Sequence, residues 1–220
     1  NIGDVFGIHP HFYSMDDKNT DGRISSDELL EQLIQAVESW QKFFGERPIF
    51  SRMGEAKMNN TLAKELDNQR IRVDSSALPG RKRRDNGFDF DWSKTGTDFY
   101  YPSKDNYQIS SPFPKENLCY LEVPFSMIPT KAKHDIKVIN RYFNLAFKND
   151  IVKRSLKAFE APEDLICVLH PHEIGKNTGG VSHIISYDAN DFERNISLLL
   201  NKWEGLEFHN FYSLLKDDHR

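Results

Sequence analysis

Ser25-Ser26-Asp27-Glu28-Leu29-Leu30-Glu31-Gln32-Leu33-Ile34-Gln35-Ala36-Val37-Glu38-Ser39-Trp40-Gln41-Lys42-Phe43-Phe44-Gly45-Glu46-Arg47-Pro48-Ile49-Phe50-Ser51-Arg52 reads as a helix that runs into a strand. Leu29, Leu30, Leu33, Ile34, Val37 and Trp40 recur at helical spacing and make one apolar stripe over 27–43. Ser25 or Ser26 supplies the N-cap, and Gly45 stands just past the end. The next apolar run, 48–52, has the length and composition of a buried strand. Similar short β-branched or aromatic runs occur at 5–9, 71–74, 119–123, 165–170 and 206–209, with helical patterns between most of them. A second amphipathic helix is expected over 189–203, from Phe192, Ile196, Leu199, Leu200 and Trp203. Alternation of this kind predicts an α/β fold with βα units around a mainly parallel sheet or barrel.

The chain has 220 residues, 38% hydrophobic and 28% charged. This suits one large globular domain over 1–220 and excludes disorder as the main state. No apolar run approaches the eighteen residues of a membrane span. The net charge of −4 offers no general attraction to nucleic acid or anionic lipid, so any basic site must be local. Cys119 and Cys167 sit in apolar runs and read as reduced core residues. The stretch 75–117 interrupts the alternation with turn signals and a cluster of aromatic residues. Most of those rings are expected to form the small core of a β-hairpin excursion, and one or two to stack on sugar. Arg81-Lys82-Arg83-Arg84, within it, reads as a solvated charge run; attraction of an anionic glycan is the sharper alternative.

Four groups of residues are suited to chemistry. In Gly7-Ile8-His9-Pro10-His11-Phe12, two imidazoles one residue apart follow a strand, and can converge on one divalent metal. Val168-Leu169-His170-Pro171-His172-Glu173 repeats the device far along the chain. Arg52 and Asp74 end two further strands, so four strands would deliver His, Arg, Asp and His to one rim. Asp17-Lys18-Asn19-Thr20-Asp21-Gly22-Arg23-Ile24-Ser25-Ser26-Asp27-Glu28 fits an EF-hand loop, with Asp17, Asn19, Asp21, Arg23 and Glu28 as calcium-ligand candidates. A plain turn into a Ser-capped helix uses nearly the same residues.

Taken in order, Ile24-Ser25-Ser26-Asp27-Glu28-Leu29, Trp40 with Phe44-Gly45-Glu46-Arg47-Pro48-Ile49-Phe50-Ser51-Arg52, Leu62 with Leu66, Ile71-Arg72-Val73-Asp74 and Leu169-His170 resemble the polysaccharide deacetylases of the NodB-homology family. The resemblance covers the chain from about residue 5 onward. It implies a distorted (β/α) barrel of about seven strands and hydrolysis of acetyl groups from a carbohydrate with a divalent metal, most often zinc. His9, with His11 beside it, would hold the metal, and Arg52 would be the motif arginine. Asp74 or Asp91 would orient His170, the proton donor to the leaving group, while Trp92, with Tyr13, would contact substrate. The chain departs from the pattern in three places. Tyr13 stands where the family's second histidine is usual, and Gly54 where a proline is usual. The family's first strand ends in Asp-Asp, which nothing before His9 supplies; the expectation is that this strand lies upstream of Asn1, the alternative being an inactive homologue that has lost the machinery. Compartment, oligomeric state and sugar identity stay open. The alternatives are an amidohydrolase or PHP-type metallohydrolase, which also places HxH after its first strand, and a non-catalytic carbohydrate-binding domain stabilised by calcium.

Overall fold

The first helix, α1 (Ser26–Phe44), closes at both ends by the devices its sequence suggests, in a computed structural model that describes residues 4–13, 24–85, 88–160, 163–175 and 182–215. The Ser25 hydroxyl accepts from the Glu28 N–H, the Glu28 carboxylate accepts from the Ser25 N–H at 2.8 Å, and Gly45 takes the left-handed conformation at φ 79°. Leu29, Leu33 and Val37 are the buried stripe.

The chain divides into two compact units, Asn1–Pro124 with His209–Arg220, and Phe125–Phe208. In the first, β1 (Phe50–Ser51), β2 (Val73–Asp74) and β5 (Leu121–Glu122) form a parallel sheet in the order β1-β2-β5, with Phe50 beside Val73 and Val73 beside Leu121. All six residues are buried, as parallel strands covered on both faces require. Ile8 adds one parallel bridge to Ser51 on the outer edge. That approach depends on Gly7, where a Cβ would lie 2.4 Å from the Phe50 carbonyl oxygen. The helix α2 (Asn60–Asn68), capped by Asn59, packs on α1 and buries Leu62, Ala63 and Leu66. The interruption at 75–117 contains an antiparallel hairpin, β3 (Lys82–Asp85) and β4 (Phe88–Asp91), in which the basic run lies on an exposed strand. Below it Trp92 and Tyr107 pack edge to face at 4.9 Å between ring centres, both buried.

The second unit holds the antiparallel pair β6 (Met127–Thr130) and β7 (Ile139–Tyr142), then α3 (Asn149–Ser155) and α4 (Ala189–Lys202). Ile128, Phe143, Phe147, Val152, Leu156 and Leu199 are its core. Asn195, wholly buried on α4, donates to the carbonyls of Leu145 and Phe147 and ties the helix to the 145–149 turn. A last short helix, α5 (Phe211–Leu214), belongs to the first unit, where Phe211 and Tyr212 meet Phe50.

The observed class is mixed α/β; none of the sheets among the described residues closes into a barrel. Two expected strands shrink to single bridges, Ile8 to Ser51 and Val168 to Asn144. At 206–209 no strand forms, because the left-handed Gly205 (φ 80°) and the Leu206 N–H bonded to the Trp203 carbonyl make a turn there. The pair β6 and β7 was not foreseen, since Pro129 and Asn140-Arg141 break the alternation that marks a strand. No helix among the described residues is long and apolar enough to cross a membrane.

Candidate functional site

Ile8, β1, β2 and β5 run parallel, so the residues at their C-terminal ends, His9, Arg52, Asp74 and Glu122, are delivered to one rim of the first unit. The Arg52 N–H bonds the Ile8 carbonyl at 3.0 Å, and the Gly54 N–H bonds the Pro10 carbonyl at 2.9 Å. These bonds lay 8–11 alongside 52–55 and bring both imidazoles over the loop that follows β1. A proline at 54 would lack the second of these N–H groups. Any side chain at 54 would also strike the His11 ring, since a Cβ there lies 2.8 Å from its Cγ and Nδ1.

His9 Nδ1 lies 2.7 Å from the Arg52 carbonyl oxygen, which can only accept, so this nitrogen carries a proton. His11 Nδ1 lies 2.7 Å from Glu55 Oε1 and donates likewise to the carboxylate. The two Nε2 atoms then face each other at 3.1 Å. Two bare lone pairs at that separation repel, so the contact calls for a hydrogen bond from one ring to the other or for a metal ion between them. Two nitrogen ligands at about 2.0–2.1 Å from a tetrahedral zinc would stand roughly 3.3 Å apart. Metal-bound histidines also give their second N–H to a carbonyl or carboxylate, as both rings do here. The residues therefore fit a divalent metal, although no cluster of three or more His, Cys, Asp or Glu side chains suited to one occurs among the described residues.

Glu55 reaches His11 from an unfavourable backbone. It has φ 51° and ψ 21°, and Ala56 follows at φ 55°, two successive left-handed residues without glycine. Such a conformation costs about 1–2 kcal/mol per residue. Four bonds hold it: Gly54 to Pro10, the Met53 N–H to Ser76 Oγ at 2.7 Å, the Lys57 N–H to the Gly54 carbonyl, and the Trp92 indole N–H to the Ala56 carbonyl at 2.9 Å. Trp92 is fully buried in this role, so it braces the loop beneath the histidines and presents no face to substrate. Tyr13 does present one: its exposed ring lies nearly parallel to His11, 6.3 Å between centres, and its backbone is pinned at both N–H and carbonyl by Gln32 of α1.

Beneath the rim Asp74 and Glu122 are wholly buried on neighbouring strands. Asp74 Oδ1 accepts from Ser51 Oγ at 2.5 Å, and Glu122 Oε1 accepts from the N–H groups of Ser76 and Ala77 at 3.0 and 2.9 Å. The remaining oxygens, Oδ2 and Oε2, have no hydrogen-bond partner. Burial, then the charge of the neighbouring Asp74, pushes the Glu122 carboxyl well above its ordinary range, and burial raises the Asp74 carboxyl as well. The half-buried Arg52 supplies the balancing charge and bonds the Ser75 carbonyl at 3.0 Å; burial lowers its pKa, and Asp74 and Glu122 oppose that.

In the second unit the carboxylate bonded to His170 is Glu173, a residue the sequence did not single out for that part. The tight turn Pro171–Glu173 carries it back so that Oε2 accepts from both His170 N and Nδ1 at 3.0 Å, and from Asn144 Nδ2 at 2.8 Å. Nδ1 is thereby the protonated nitrogen, and the ring is half-exposed. Asp91 is engaged elsewhere, on Lys82 and Ser93, which hold its carboxyl down at about 2.

Of the calcium candidates, Asp17, Asn19, Asp21 and Arg23 lie outside the described residues, while Glu28 closes the capping box of α1. Sequence reasoning missed Glu55, Glu122 and Asn144. The acidic residue three places after Arg52 was the available signal for the first, and the Leu-Glu pair inside an apolar strand for the second. Compared with known protein families and with curated proteins, the chain matches none.

Proposed function

We propose that the chain is a metal-dependent hydrolase that removes acetyl groups from a carbohydrate, with His9 and His11 as protein ligands of a divalent metal, zinc by preference. The observation that carries this reading is the pair of Nε2 atoms at 3.1 Å, each ring braced through Nδ1 by its own acceptor. A divalent cation there would supply Lewis-acid polarisation of the acetyl carbonyl. The exposed ring of Tyr13 beside His11 offers a stacking face for a sugar. A (β/α) barrel completed by an Asp-Asp strand is the form this reading expects. The parallel strands ending in His9, Arg52 and Asp74 support it.

The test joins zinc titration to acetate release from acetylated oligosaccharides. The wild type should bind zinc and release acetate; His9→Ala and His11→Ala should lose both. Zinc affinity unchanged by either substitution would sink the proposal. An HxH pair after a strand also suits an amidohydrolase or phosphoesterase, and zinc-dependent hydrolysis of phosphate esters in place of acetyl groups would select that reading.

A further inference from the structure

We infer that Glu55 is a positioning residue for the metal ligand His11, retained in a backbone conformation that the chain without metal would be more stable without. The inference rests on the metal reading above. Glu55 does not sit on the ligating side of the ring: its carboxylate is bonded to Nδ1, while Nε2 faces His9. Its effect on a metal is therefore exerted through His11, by fixing the ring's rotation and its tautomer through the charged hydrogen bond.

The backbone gives the independent argument. Left-handed residues are ordinarily glycine, or asparagine, because a Cβ crowds the following carbonyl. At 55 the chain carries glutamate, followed by alanine in the same conformation, and the fold surrounds both with specific bonds from Pro10, Ser76 and Trp92. A turn that served only to connect β1 to α2 would be more stable with glycine at 55. Strain of this kind persists where the side chain has a task. Here its carboxylate ends 2.7 Å from His11, and Gly54 clears the space for that ring.

The experiment measures two quantities on the full chain: affinity for Co²⁺, from its visible ligand-field absorption, and the melting temperature without metal. Glu55→Gly should weaken Co²⁺ binding about 10–100-fold, yet raise the metal-free melting temperature by about 2–4 °C. Glu55→Ala should weaken binding as much without that rise. Glu55→Gln, which keeps an acceptor for the Nδ1 proton and loses the charge, should fall between Ala and wild type. Ala56→Gly should raise the melting temperature with Co²⁺ affinity unchanged, which separates relief of strain from loss of the carboxylate. Co²⁺ affinity within twofold of wild type in all three Glu55 variants would overturn the inference and leave the His9 and His11 centre standing. Wild-type protein that binds no Co²⁺, or binds it equally well as His9→Ala, would remove the centre and this inference with it.

Discussion

At the residue scale, the buried pair Asp74 and Glu122 makes stability depend on pH. The unfolded chain releases the Glu122 proton from about pH 4 upward, whereas in the folded protein burial, then the charge of Asp74, raises that carboxyl well above its ordinary range. The raised folded-state pKa therefore stabilises at low pH, and that contribution declines as pH rises toward the folded value, by up to about 1.4 kcal/mol per unit. Glu122→Gln keeps an oxygen for the Ser76 and Ala77 N–H groups but carries no titrating proton. Its melting temperature should gain on wild type from pH 5 to pH 8; parallel profiles would show that Glu122 is not the proton's holder. Gly54 gives a second residue-scale prediction. With His11 and the Pro10 carbonyl both within 3.0 Å of a Cβ there, Gly54→Ala should displace the ring and abolish zinc binding measured by calorimetry. Retained binding at wild-type affinity would mean that the loop accommodates the methyl group.

At the element scale, α1 needs the capping box more than its remaining surface charges. Glu28 bonds both the N–H and the hydroxyl of Ser25, so Glu28→Ala should destabilise by about 1 kcal/mol, and Glu28→Gln, which can close the same box, by less than half that. Denaturant titration with and without calcium checks this, and loss of a calcium-dependent part in Glu28→Gln would point instead to the loop reading of 17–28. The helix itself was legible because its stripe and both caps are local signals, decided within its nineteen residues and the one that flanks them at each end. The pair β6 and β7 was illegible for the opposite reason. Its residues are held by partners across the hairpin, with Arg141 on Asp135 and Thr130, and not by their own propensity.

At the scale of the whole molecule, two units each bury their own core. Phe143, fully buried among Ile128, Phe147 and Val152, is the test: Phe143→Ala should cost about 3–5 kcal/mol. Hydrogen exchange should show the loss first in 125–208, while equal loss in both units would indicate one cooperative core. What the sequence determined by itself was whatever rests on short-range pattern: α1 and α4, the parallel strand ends at 52 and 74, the pairing of His9 with His11, and the hairpin within 75–117. Periodicity, caps and an i, i+2 spacing act along a few residues, so they can be read there. The tertiary structure alone decided that Glu55 braces His11 across forty-four positions, and that Glu122 lies against Asp74. It also turned Trp92 from a pocket wall into the support of the Ala56 carbonyl. Each of these depends on which residues a fold places side by side. Hydrogen bonding and desolvation act over a few ångströms in space, whatever the distance along the chain.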